Sequence, residues 1–184
     1  NPKVVLVLYL IAMVVVIPSA VGLWYANSKQ YGEKNIKYDT YNAFYTLLQE
    51  TFRIKNLPEV IAASAECRAI NTPQPSDNEP MGLLYASMKS SELMVKPKIE
   101  HPVVLRGNLL LHAHVTRKTD NLTPILLKDL NIMLSRIPEL IEGIIEISHQ
   151  RKWLKLSIAA VQFSQCVIQA LWTNNHSLEQ LPYF

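Results

Sequence analysis

Glycine is scarce in this chain, at five residues in 184. Gly-rich phosphate loops and the turn-dense hairpins of all-β proteins both need residues free to adopt positive φ, so the scarcity argues against each. Cysteine is rarer still. Cys67 and Cys166 stand far apart with no repeated spacing, giving neither a zinc signature nor a disulfide framework, and the pair reads as buried thiols. Charge is thin as well: Asp, Glu, Lys and Arg make up 18% of the chain, and the net charge of +3 is spread among acidic neighbours. A clustered basic face is lacking, so nucleic acid is not indicated as a partner.

Between Lys3 and Lys29 there is no formal charge at all, in the run VVLVLYLIAMVVVIPSAVGLWYANS. At about 1.5 Å per residue such a helix exceeds the ~30 Å hydrocarbon core of a bilayer. The expectation is a transmembrane helix within residues 1–31, followed by a helical domain over 32–184. A signal peptide is the rival reading, but the run outlasts its ~7–15-residue apolar core and ends in Trp24 and Tyr25, rings that settle at headgroup level. A buried core helix of a soluble domain suits shorter runs. Pro18 cannot donate to the carbonyl of Val14, so a kink is expected there. The small residues Ala12, Ser19 and Gly22, with Pro18, are the candidate partner-binding positions, because packing in lipid depends on close backbone approach. Lys29, Lys34 and Lys37 follow the span, which under the positive-inside rule puts its C-terminal side in the cytosol.

The remainder reads as all-α. Asp39 or Thr40 can cap a helix to about Arg53 with an aromatic stripe of Tyr41, Phe44, Tyr45 and Phe52. Asn56 and Pro58 open a helix to about Arg68, and Asn71–Pro80 reads as a loop. A short helix spans Met81–Met88, and a central helix, apolar around most of its circumference, runs from Pro102 to about Lys118. Thr123 and Pro124 start another to about Ser135. An apolar stripe at Ile137, Leu140, Ile141, Ile144 and Ile145 follows, opposite Glu139, Glu142 and Glu146. The last helix, Leu154–Trp172, is assigned a buried stripe of Leu154, Ile158, Val161, Ile168, Leu171 and Trp172.

Catalytic constellations fail on geometry or context. His112 and His114, two apart on a helix, face different ways and cannot chelate one ion. The three glutamates form a solvated face, and Cys166 lacks a neighbouring cation or histidine to lower its pKa. His101-Pro102-Val103 lacks the acid of the His-Pro-Asp tripeptide through which a J-domain activates its chaperone, and no basic helix precedes it. The chain is therefore expected to be no enzyme, with no cofactor and no metal.

The order of segments resembles the Sec sixty-three family, the J-domain-bearing membrane subunit of the endoplasmic reticulum protein translocon. The resemblance is carried by Val21, Gly22 and Trp24 at the end of the span and by Pro75–Asn78 in the loop. Leu110, Leu111, His114, Val115 and Arg117 match the central helix, and Leu178, Gln180, Leu181 and Pro182 the close. It covers nearly the whole chain. Tyr25 stands where the family often has a second tryptophan, the helix around Met81 matches poorly, and the chain is much shorter than the family. The resemblance implies the third span and cytosolic helical bundle of a multi-pass protein. It also implies a non-enzymatic accessory role in post-translational translocation at the endoplasmic reticulum membrane. The implied partners are the channel subunits, other accessory subunits and the lipid bilayer, with the lumenal heat-shock chaperone engaged only through a J-domain this chain lacks. The alternative is a helicase-type bundle module binding RNA or a regulatory partner. The tight connection at Arg151–Trp153 is the expected place of a dropped internal loop. A small transporter would need several spans and polar pathway residues, and neither is seen.

Overall fold

The computed structural model describes residues 2, 5–6, 9, 12–27, 36–73, 77–88, 98–120 and 122–173. All regular elements among them are helical. A π-helical stretch, Ala12–Val16, leads into α1, Ile17–Asn27. The kink expected at Pro18 takes this form: the chain is wound one residue wider just before the proline, where the Val14 carbonyl would otherwise meet the ring. Five plus eleven residues reach only about 24 Å at a helical rise, and among the described residues no helix is long and apolar enough to cross a membrane. The expected span is thus not found whole. Of its first half, 4–11, only Val5, Leu6 and Tyr9 lie within the described residues, and Lys29 and Lys34 lie outside them.

The bundle begins with α2, Tyr38–Leu47. It stops well short of Arg53 because Leu48 turns to extended backbone (ψ 141°), which sends the Leu48 side chain into the core. Neither Asp39 nor Thr40 caps it; Lys37 occupies that position. Of the aromatic stripe only Phe44 is fully buried, while Tyr45 is exposed. A 3₁₀ turn, Ile54–Asn56, precedes α3, Leu57–Ala62, and α4, Ala65–Ile70. These are two helices where the sequence pattern predicts one. Ser64 breaks them, its Oγ accepting from the Cys67 N–H at 3.2 Å as a side-chain cap. α5, Asn78–Met88, starts inside the expected loop, with Pro80 tolerated in its first turn where no intrahelical N–H is required.

α6, Pro102–Val115, runs through the centre of the bundle as its all-round apolar pattern requires, with Leu110, Leu111 and Ala113 at 0–1% exposure. α7, Pro124–Gln150, is one continuous helix of 27 residues capped by Thr123, whose Oγ1 accepts from the Leu126 N–H. The break expected near Ser135 does not occur. Pro138 lies on the solvent side, so the Leu134 carbonyl it cannot serve can turn to water. Leu126, Leu130, Met133, Ile137, Leu140, Ile141, Ile144 and Ile147 form its buried stripe.

α7 turns directly into α8, Leu154–Gln169. The tight Arg151–Trp153 connection is a complete helix-ending turn: Lys152 takes a left-handed φ of 59°, and the Trp153 N–H reaches the Ser148 carbonyl at 2.8 Å. Arg151 stacks on Tyr45 (3.8 Å) and Trp153 (4.7 Å) and donates to the Tyr45 carbonyl, locking the turn against α2. α8 buries Leu156, Ala159, Ala160, Phe163, Cys166 and Val167. The expected stripe is corrected here. Leu154, Ile158, Val161 and Ile168 face solvent at 47–78% exposure, and of the residues assigned to the stripe only Leu171 and Trp172, beyond the helix, are buried.

Candidate functional site

An arginine on an otherwise apolar helix must either reach water or find partners. Arg106 on α6 does the second. Its Nε and Nη2 lie 3.1 and 3.0 Å from Asp77 Oδ2, its Nη2 donates to Asp129 Oδ2 at 2.8 Å, and its Nη1 donates to Asn71 Oδ1 at 3.0 Å. Arg106 and Asp77 are buried, and Asp129 is partly so. Asn71 completes the staple by donating from Nδ2 to the Cys67 carbonyl (2.9 Å) and the Met133 sulfur (2.8 Å). One guanidinium thereby joins the start of α5, the end of α4, α6 and α7. Gly107 makes room: a Cβ there would stand 2.9 Å from Asn71 Nδ2 and 3.1 Å from Ala62. Sequence reasoning found Asp77 as a motif residue but not its partner; the signal was a lone Arg among Val103, Val104, Leu105, Leu109 and Leu110.

The second half of α6 performs a different task. His114 Nε2 bonds the Val167 carbonyl at 2.8 Å, and Arg117 donates from Nε to the Ala170 carbonyl at 3.0 Å. Both carbonyls belong to the end of α8, where intrahelical donors run out and cations are favoured. Ala170 there is left-handed, φ 48°. His112 takes no part in this clamp. It is buried, bonds the Asn108 carbonyl at 2.8 Å and stacks on Trp172, so the two histidines serve different neighbours, as their spacing predicts.

Both cysteines are free and buried. Burial pushes the Cys67 thiol up to about 11, outweighing the Ser64 hydrogen bond, and burial also raises Cys166. Neither is poised as a nucleophile. Glu139, Glu142 and Glu146 lie apart from any such chemistry, half-buried or exposed, with Arg136 donating to Glu139 at 3.2 Å.

The candidate partner-binding residues are not drawn into the bundle. Ala12 opens the π-helical stretch, and Pro18, Ser19 and Gly22 are exposed on α1, with nothing within 4 Å of where a Gly22 Cβ would sit. Around them Val14, Val16, Ile17, Val21 and Leu23 are all 52–72% exposed. Among the described residues, the side chains of α1 are thus mostly apolar and exposed. The closing motif at 178–182 lies outside the described residues, as do Pro75 and Ser76 of the loop motif.

Residues 33–184 match the family described as the Sec63 Brl domain. The chain belongs to that family. Among its relatives are two DnaJ proteins of Arabidopsis thaliana. ERDJ2B is 28% identical over 98% of this chain, and ERDJ2A is 25% identical over 91%. The chain spans 31% and 26% of their respective lengths. The U5 small nuclear ribonucleoprotein 200 kDa helicase of Homo sapiens is 32% identical over 81% of the chain, which spans 7% of that protein. The hydrogen bonds give the motif residues their physical meaning: Asp77 belongs to the staple, and His114 and Arg117 to the helix-end clamp.

Proposed function

We propose that this chain is the bundle of a non-enzymatic accessory subunit of the endoplasmic reticulum protein-conducting channel, with residues 1–31 as a membrane anchor and 32–184 on the cytosolic side. The carrying observation is the pairing of a family-type bundle with an α1 whose described apolar side chains are exposed. The DnaJ relative ERDJ2B aligns with all but 2% of the chain, a match that has to take in most of the apolar run, whereas the helicase alignment leaves out 19%. The bundle's task is to hold cytosolic parts in register against the channel while α1 packs beside it. Ala12, Pro18, Ser19 and Gly22 supply the low-relief face for that contact.

The helicase-type reading draws support from the 32% identity to the spliceosomal relative. It leaves the apolar helix without a role, and the evenly mixed charge does not favour RNA.

The test is made in microsomes carrying the chain with photo-crosslinking residues at Ala12, Ser19 and Gly22. Carbonate-resistant membrane association and adducts to channel subunits from one face of α1 are expected. Release by carbonate, together with salt-sensitive binding of single-stranded RNA, would favour the helicase-type reading. Crosslinks to lipid alone, with the chain still co-purifying with the channel, would move the contact from α1 to the bundle.

A further inference from the structure

Away from the staple, a groove of about 500 Å³ opens between α2 and the start of α6. Its floor is Ala63 and Val104 of a small apolar cluster separate from the main core, with Ala62 buried beneath and Leu47 and Ile99 packed against it. The groove owes its shape to a buried carboxylate. Glu59 on α3 is 7% exposed and accepts the backbone N–H groups of Lys98 and Ile99 at 2.6 and 2.7 Å, drawing that segment down so that Ile99 becomes a wall.

The rim has a definite chemistry. Arg68 and His101, both exposed, are its ionisable residues, and among the described residues no acidic side chain lines the groove. Of the carboxylates on the supporting elements, Glu59 is engaged as above and Glu66 with the Lys37 N–H at 2.9 Å and the Thr40 hydroxyl, while Asp39 on α2 and Glu100 beside His101 are exposed and do not line the groove. On the α2 side stands the exposed carboxamide of Asn42, which offers one donor and one acceptor together, the pair a peptide group offers in return. Thr46 beside it turns its hydroxyl back to the Asn42 carbonyl at 2.9 Å and leaves that amide to the groove.

We propose that this groove docks a short acidic segment of a partner protein. An aliphatic side chain would sit on the Ala63–Val104 floor, a backbone amide on Asn42, and an Asp or Glu carboxylate against Arg68. Charge complementarity at Arg68 selects this occupant, since a guanidinium on the rim, with no acid lining the groove among the described residues, attracts a carboxylate and repels a basic peptide. The volume falls within the ~300–1,000 Å³ typical of ligand clefts, enough for a few side chains and too little for a folded domain. A fatty acyl chain with its carboxylate would satisfy the floor and Arg68 but would leave the Asn42 amide unmatched. The proposal does not depend on the channel reading, because it concerns binding to the chain alone.

The test uses the full chain in detergent and three fluorescein-labelled octapeptides of equal length, alternating Glu with Leu, Gln with Leu and Lys with Leu, followed by fluorescence anisotropy. The Glu/Leu peptide is expected to bind at least tenfold tighter than the other two. Arg68→Glu should erase that preference or turn it toward the Lys/Leu peptide, and Ala43→Trp, which fills the groove from the α2 side, should weaken the binding at least tenfold. Arg53→Ala, outside the groove, should leave it unchanged. Circular dichroism melts confirm that each variant is folded. Equal binding of all three peptides, or a Glu/Leu preference that survives both groove variants, would overturn the proposal. So would displacement of the peptide by micromolar oleate in wild type and Asn42→Ala alike, which would assign the groove to a lipid acid.

Discussion

Arg106 shows how much one side chain can organise. Its planar fork serves Asp77, Asp129 and Asn71, a geometry that an ammonium cannot reproduce. Removing it leaves Asp77 buried with its main partner gone, so Arg106→Met is expected to cost about 3–5 kcal/mol, and Arg106→Lys to recover only part of that. Urea denaturation followed by circular dichroism checks both. Replacing Arg106, Asp77 and Asp129 together with apolar residues of similar size should cost less than Arg106→Met alone. At Cys67 the native thiol holds its proton more tightly than the usual 9.0, up to about 11. Its contribution to stability is therefore fully present below about pH 9 and is lost as pH rises toward 11. Cys67→Ser should flatten that loss in melting experiments across this window.

At the scale of elements, a proline on the solvent face does not end a helix whose opposite face is well packed. α7 continues through Pro138 because its buried stripe, Met133 through Ile147, gains more from packing against α8 than is lost at one hydrogen bond. Pro138→Ala is expected to restore the bond to Leu134 and raise stability by about 1–3 kcal/mol. A falling melting temperature would mean that the local bend is needed for the α7–α8 fit. The opposite error arose at Ser64. There a continuous helical pattern was interrupted because the Ser64 hydroxyl caps Cys67, and the Thr40 hydroxyl accepts the Ala65 N–H at 2.9 Å. The Ser64 cap is local but carries no apolar period, and the Thr40 contact forms only once α2 lies across α4, so helical periodicity sees neither hydroxyl.

For the whole molecule, the central place of α6 can be tested against the exposed ridge of α8. Leu110→Ala is expected to cost on the order of 2–5 kcal/mol, because Leu110 is at 0% exposure, while Ile168→Ala, at 78%, should change stability by less than about 0.5 kcal/mol. Comparable losses at both positions, measured by urea denaturation, would mean that the α8 ridge is covered in solution.

Composition and periodicity alone determined the helical class, the central position of α6, the cap at Thr123, the unbridged cysteines and the separation of His112 from His114. The class, the cap and the histidine separation follow from interactions within a turn or two of helix, and those are written locally, while the other two follow from composition and spacing. Tertiary structure decided which side of α8 is buried. Leu154, Ile158, Val161 and Ile168 make as regular a stripe as Leu156, Phe163 and Val167 do, so periodicity could not choose between them. The choice was made by the Lys152 turn, which sets the rotation of α8 against α7. The Arg106 staple was decided the same way: its partners lie 23 to 35 residues distant in sequence and meet only when the elements that carry them are packed.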